Sequence, residues 1–471
     1  MRRLEPWLAP VLFAAARLAF APRTHNTHAI MYPVVAELGG RNSLELFHPL
    51  YVPLLRLLNV LRHGCGFSGP SIHLYQALSL AGAMVQLRLI YALAARLTKG
   101  RKTALAAALL ATASVNLWCW SLQTMPYTLA TSAALGCLLV LVDSTYPPTR
   151  PGPSSWITLG ALTGLAMGFD TASLVLIPIC LVARKAGKTK AVYLGAFALT
   201  LLAAYLPFLA LGRSIPPSPS ALLKGLPFDI VSLMQSHSLG AQMKDWLAST
   251  APSEAPWLLL AALFAAGAAF AKGGKLALAW FLGISAFFFI ADPHNRFVYA
   301  GALLAPVVLA AMAEKRGFPL AACAAAWLLL LGKNLASPPD YLPRSNASLD
   351  EAAFVSSSLS PDDLLVAVSQ PDLLFSYAYA KHSAVVWPGD SPGLPLADVR
   401  ARAERAARDG RVVWLASDAM FRDSDVPAGV MEKRVQRLAA SFAPALEVAR
   451  EGVVSPNDQW YYPLRLASKK R

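Results

Sequence analysis

The sequence predicts an all-α polytopic membrane domain of about eleven transmembrane helices, followed by a small α/β domain on the outer side of the membrane. Three observations predict it. Of 471 residues, 56% are hydrophobic and 15% charged, with a mean hydropathy of +0.46, which is too apolar for a soluble protein of this size. Apolar runs recur up to residue 334, separated by short clusters of Lys and Arg. From about residue 340 the composition turns to that of a soluble domain, so the domains are read as 1–335 and 336–471.

The apolar runs cover 5–22, 71–97, 103–120, 127–143, 156–168, 171–183, 190–212, 256–271, 276–291, 297–313 and 318–334. The fifth and sixth form either one long helix or two short ones with Gly168, Phe169 and Asp170 at the tip. Charge chooses the pair: Arg2/Arg3, Lys99/Arg101/Lys102, Arg150, Arg184/Lys185/Lys188/Lys190, Lys272/Lys275 and Lys315/Arg316 then all fall on one side. On this topology the N-terminus is cytoplasmic. Asp170 and the segments 23–70, 213–255, 292–296 and everything after 335 lie outside. The start carries a basic n-region and an A-x-A pattern at Ala19 and Ala21, but Arg17 interrupts the apolar stretch and Pro22 would follow the cut. An uncleaved first span is therefore preferred.

The formal net charge of +15 does not point to nucleic acid, because the cations sit between apolar runs as topology signals. Of five cysteines, only Cys65 lies in a loop, and no disulfide framework or metal-ligand spacing emerges.

The first outer loop, 23–70, is polar at its start. In its second half Leu46, Leu50, Leu54, Leu57, Leu58 and Leu61 recur at helical spacing, predicting an amphipathic helix over 44–62 along the membrane surface. The loop 213–255 holds Pro216, Pro217 and Pro219, then a second amphipathic piece, FDIVSLMQSHSLGAQMKDWL. Two surface helices on one side point to a roofed cavity at the membrane boundary. Beyond 340, LDEAAFVSSSL, DLLVAVS, LLFSYAYAK, SAVVW, LADVRARAERAARDG, RVVWLAS and VMEKRVQRLAASF alternate helix-like and strand-like, with no Gly-rich phosphate loop after any strand. No internal repeat is seen, which counts against a transporter or flippase.

Ionisable residues inside spans are functional candidates by default, and Arg17 and Arg88 are the two found here; snorkelling or pairing with a backbone carbonyl is the plainer role for each. The outer loops bring together Arg23, His25, Asn26, His28, Glu37, Glu45, His48, Asp170, Arg213, His237, Asp292, His294 and Arg296. A group transfer from a lipid phosphate needs a base to take a proton from an acceptor hydroxyl, and cations to hold the phosphate as it leaves. Arg296, in ADPHNRF, suits the phosphate or is an interfacial anchor paired with Asp292. Arg23 and Arg213 support it. Asp170 is either a helix cap or a base. His25 and His28 form an HxxH in a loop, a weak metal signal, and neither a metal site nor a cofactor is expected.

The order of these features resembles the GT-C class of integral-membrane glycosyltransferases, which includes the protein O-mannosyltransferases and the lipid A aminoarabinose transferases. THNTHAIMYPVVAEL followed by FHPLYVPLLRLL is similar to that class's first outer loop and its amphipathic helix. NLWCWSLQTMPYTLA resembles the second outer loop, TLGALTGLAMGFDTASLVLIP the paired short helices, and DPHNRFVYAGALLAPVVLA the late loop whose basic residue meets the lipid phosphate. The resemblance implies transfer of a sugar from a polyprenyl-phosphate donor to a glycan, lipid or protein acceptor on the extracytoplasmic side, with His28, Glu37, Asp170 and Asp292 as candidates for the base. Arg23, His25, Asn26, His48, Tyr51, Arg213, His294 and Arg296 would bind substrate. The Ala-, Leu- and Arg-rich usage suits a bacterial inner membrane. Two positions depart from the class: Asn26 and Gln123 stand where acidic residues are expected, and an amide cannot act as a general base. A degenerate member that binds a lipid-linked glycan without turnover is the alternative.

Overall fold

The computed structural model describes residues 4–19, 32–33, 36, 48–66, 71–98, 100–145, 153–182, 187–210, 354–355, 357–360, 362–366, 384–386, 396–416, 442, 445–448, 452–455 and 460–466. The helices are described first and the strands second; of the two compact units of the chain, the one that holds the sheet also takes in Leu54–Tyr75.

The helices are α1 (Glu5–Ala19), α2 (Tyr51–Gly64), α3 (Ser71–Thr98), α4 (Arg101–Ala111), α5 (Val115–Trp120), α6 (Tyr127–Thr145), α7 (Pro153–Phe169), α8 (Leu176–Val182) and α9 (Gly187–Ala210), with a 3-10 turn at Thr171–Val175. All but α2 fall on the first seven expected runs, and α2 falls on the amphipathic helix expected over 44–62; the four runs from 256 to 334 lie outside the described residues. Among the described residues, Ser71–Leu97 and Thr189–Leu206 are long and apolar enough to cross a membrane.

The third expected span, 103–120, is broken between α4 and α5. Thr112 donates its hydroxyl to the Leu109 carbonyl at 2.6 Å, and its own carbonyl accepts the Trp118 indole N–H at 2.7 Å. Side-chain bonds thus replace the helical ladder where the chain turns.

The fifth and sixth runs form two helices. Thr163 Oγ1 lies 4.0 Å from Cys180 Sγ, whereas seventeen residues of one continuous helix would separate them by about 25 Å. The chain therefore doubles back at the GFD tip. Glycine spacing sets the packing of α7 on α9: a Cβ on Gly160 would stand 2.9 Å from Ala196 Cβ, and one on Gly164 2.7 Å from Thr200 Cβ. Glycines four apart along α7 thus let the two backbones close on each other. Between α3 and α6, Gln86 Nε2 donates to the Thr128 carbonyl at 2.8 Å and Ser132 Oγ to the Gly82 carbonyl at 2.9 Å. Arg96, near the end of α3, is ion-paired with Asp143, near the end of α6. The two helices therefore run side by side in the same direction.

The sheet unit holds β1 (Leu364–Val366), β2 (Ala384–Val386), α10 (Leu396–Arg408), β3 (Val413–Ala416), β4 (Leu446–Val448), β5 (Val453–Val454) and β6 (Trp460–Leu466). Strand order is β2-β1-β3-β6-β4, with β5 also on β6. The first three strands are parallel, and β6 is antiparallel to β3, β4 and β5. Leu364, Val366, Val413, Leu415 and Leu464 pack with Val399, Ala403 and Ala406 of α10. Leu365, Trp414 and Tyr461, at alternate positions, are buried too. Burial on both faces is why DLLVAV and RVVWLA read as continuous apolar runs. Asp363, just before β1, is buried and accepts from Trp414 Nε1 at 2.8 Å, the Ser360 amide at 3.0 Å and the Val412 amide at 3.3 Å, tying β1 to β3.

Candidate functional site

A helix leaves its last carbonyls without intrahelical partners. At the end of α7 those partners come from the HPLY element: the Leu50 amide donates to the Gly168 carbonyl at 2.9 Å, and His48 Nδ1 lies 2.6 Å from the Phe169 carbonyl. A carbonyl only accepts, so Nδ1 carries the proton, and the neutral ring has its lone pair on Nε2. The approach depends on glycine at 168, where a Cβ would stand 2.8 Å from Leu50 Cγ. The His48 carbonyl in turn accepts the Tyr51 amide at 2.9 Å, starting α2.

Asp170 follows directly on the Phe169 carbonyl that holds His48. Its amide donates to the Ala166 carbonyl at 2.8 Å, its carbonyl accepts the Ser173 amide at 3.0 Å, and it is half-buried. A carboxylate-bearing residue thus directly follows the residue whose carbonyl orients the imidazole. Two aromatic rings extend this wall: Tyr127 meets His48 edge to face at 6.2 Å, and Trp120 meets Tyr127 at 5.1 Å. Neither ring was among the candidate residues, although both belong to the NLWCWSLQTMPYTLA pattern. Tyr51, expected to bind substrate, is wholly buried.

Arg17, at the far end of α1, is also buried. Its guanidinium lies 4.8 Å from the centroid of the Trp118 ring, and Nε donates to Ser121 Oγ at 3.0 Å. It thereby ties the end of α1 to the turn carrying Gln123, whose amide side chain is likewise buried. Arg88 lies within 6.0 Å of the Trp7 and Tyr91 rings, a cation–π placement that the sequence reading of snorkelling or carbonyl pairing did not name. Arg23, His25, Asn26, His28, Glu37, Arg213, Asp292, His294 and Arg296 lie outside the described residues.

Residues 48–192 match the family model described as the protein O-mannosyl-transferase TMEM260 N-terminal domain. That segment contains the HPLY element, the aromatic wall and the GFD tip. No curated protein matches the chain. Among solved structures, ArnT from Cupriavidus metallidurans bound to undecaprenyl phosphate has a TM-score of 0.58 at 13% identity, covering 96% of this chain and 97% of that one. Apo ArnT gives 0.58 at 15% identity with the same coverage. The archaeal oligosaccharyltransferase AglB from Archaeoglobus fulgidus, in complex with an inhibitory peptide and a dolichol-phosphate, has a TM-score of 0.49 at 12% identity over 98% of this chain and 74% of that one. The resemblance drawn from the sequence motifs is thus met by the family match and by a shared fold along nearly the whole chain.

Proposed function

We propose, for a chain that shares the fold of the GT-C membrane glycosyltransferases, that it transfers a sugar from a polyprenyl-phosphate donor to an acceptor on the extracytoplasmic side. The observation that carries the reading is the tip at Gly168–Asp170, where the HPLY element caps α7 and fixes His48 on the carbonyl of Phe169, the residue before Asp170. The undecaprenyl phosphate bound to ArnT from Cupriavidus metallidurans supports a lipid-linked donor.

The reaction is an inverting displacement. A base takes the proton of the acceptor hydroxyl, and the acceptor oxygen bonds to the anomeric carbon. The bond from that carbon to the phosphate oxygen breaks, with its electron pair leaving on the polyprenyl phosphate. Asp170 is the base we favour, because the capped tip holds its backbone; His28, Glu37 and Asp292 are the other candidates. His48 Nε2, left as an acceptor, orients the hydroxyl or the sugar. Arg296, with Arg23, Arg213 and His294, holds the departing phosphate, and His25 and Asn26 complete the substrate-binding set. Arg296→Ala abolishes transfer while the protein still inserts; full activity in that variant removes Arg296 from the site.

Gln123 favours a second reading. A buried amide stands where the class has an acid, which suits a scaffold that binds a lipid-linked glycan without turnover. Retained donor binding with no release of polyprenyl phosphate would select it.

A further inference from the structure

Alternate residues of a strand stand on one face of its sheet. On β6 that face runs from core to solvent: Leu464 is buried with residues of α10, Tyr462 packs at the edge of that core, and Trp460 is 41% exposed. Val454, directly opposite Trp460 on β5, is 39% exposed on the same face. The Trp460 and Tyr462 rings are 15° from parallel, with centroids 6.0 Å apart. Beside Tyr462 the chain has Gly452, where a Cβ would stand 3.0 Å from the phenol ring. Backbone alone lies against that ring, and no side chain rises next to it. The exposed indole is thus one part of a contiguous aromatic and apolar corner, not a lone side chain at the surface.

Size and chemistry decide what fits this corner. One indole with a phenol and a valine beside it falls well short of the about 800 Å² that a stable protein partner covers. Its residues are uncharged, which gives a lipid headgroup nothing to pair with. The flat side of a pyranose ring matches it. An aromatic face is the negative side of the ring quadrupole, and the C–H bonds on one side of a pyranose are polarised by the attached oxygens. The hydroxyls around the sugar's rim need planar polar partners. The sequence between β5 and β6, SPNDQ, holds Asn457, Asp458 and Gln459 immediately before Trp460.

We propose that Trp460, with Tyr462 and Val454, is a carbohydrate-binding platform that stacks on one side of a pyranose unit of a glycan. It binds without chemistry, since no bond is made or broken there. That the glycan is the acceptor of sugar transfer rests on the function proposed above; the stacking itself does not.

Saturation-transfer NMR on the full chain in nanodiscs reads the platform, with the methyl glycosides of glucose, galactose and mannose as probes and protein-free nanodiscs as the blank. The expected result is transfer to the C–H protons on one side of at least one of these sugars. Affinity falls about ten-fold in Trp460→Leu, which keeps an apolar side chain without a π face, and is largely kept in Trp460→Phe. Both variants change an exposed side chain, and limited proteolysis beyond residue 340 checks that the strands are intact. Binding of none of the three glycosides, or equal binding by wild type and Trp460→Leu, overturns the proposal. Stacking that depends on Trp460 in a protein that releases no polyprenyl phosphate from a donor supports the platform and removes the transfer reading. Turnover with glycoside binding unchanged in Trp460→Leu removes the platform alone.

Discussion

The imidazole of His48 and the backbone carbonyl of Phe169, 2.6 Å apart, join two segments separated by 121 residues. Through this bond the segment before α2 caps α7 at its carbonyl end, and a histidine tautomer is set by a helix terminus. Substitution separates the two roles of the ring. His48→Asn places an amide donor near the Nδ1 position and preserves thermal stability, but has no base at the Nε2 position. His48→Ala also loses the cap and costs about 1 kcal/mol. Midpoints of thermal unfolding in detergent distinguish the two variants, and donor turnover is expected to fall in both.

Gly168→Ala introduces a Cβ against Leu50. It pushes the 48–50 turn off the end of α7 and lowers transfer sharply. Gly195→Ala, in α9 where a Cβ meets nothing within 4 Å, is neutral or stabilising by up to about 1 kcal/mol. Activity and thermal midpoints of this pair show whether close approach at the tip, rather than glycine in a helix, is what matters.

Arg17→Met removes a buried cation that meets Trp118 and Ser121, with a loss of about 2–3 kcal/mol. Arg17→Lys recovers only part of it, because an ammonium lacks the planar fork that spans an indole face and a hydroxyl together. Thermal unfolding of both variants checks the order: wild type above Lys, Lys above Met.

In the sheet unit, Asp363→Ala takes the acceptor from the buried Trp414 indole N–H and from two part-buried amides, and costs about 2 kcal/mol. Trp414→Phe, which removes one donor from a carboxylate that keeps two others, costs about 1 kcal/mol. Limited proteolysis of the full chain, scored on fragments from beyond residue 340, reads the difference.

Much of the helical framework was legible in the sequence because hydropathy and charge act along the chain. The break at Asp170 followed from asking which arrangement keeps the Lys and Arg clusters on one side. The break at Thr112–Ser114 was not legible, since it arises from an indole and a hydroxyl taking carbonyls that an apolar run does not advertise. Strands β1, β2 and β3 matched apolar pieces. Strand β6 did not stand out because Pro463 sits within it, and proline usually argues against a paired strand. The site was legible only in its residue types. His48 and Asp170 were named as candidates, but that the Phe169 carbonyl would fix one of them depends on a contact across 121 residues. Tyr127 and Trp120 were visible as a pattern and not as a wall. The apolar face of α2 was read as a periodicity, and only the fold shows that Leu57 and Leu61 point outward while Leu55 is buried.

The most direct test of transfer is release of polyprenyl phosphate from a polyprenyl-phosphate sugar by the purified full chain in nanodiscs with an acceptor present. The account predicts release matched by glycosylated acceptor in the wild type, and none in Asp170→Asn although the donor still binds. Wild-type protein that binds the donor and releases no phosphate, or moves it across the bilayer with the sugar still attached, would contradict it.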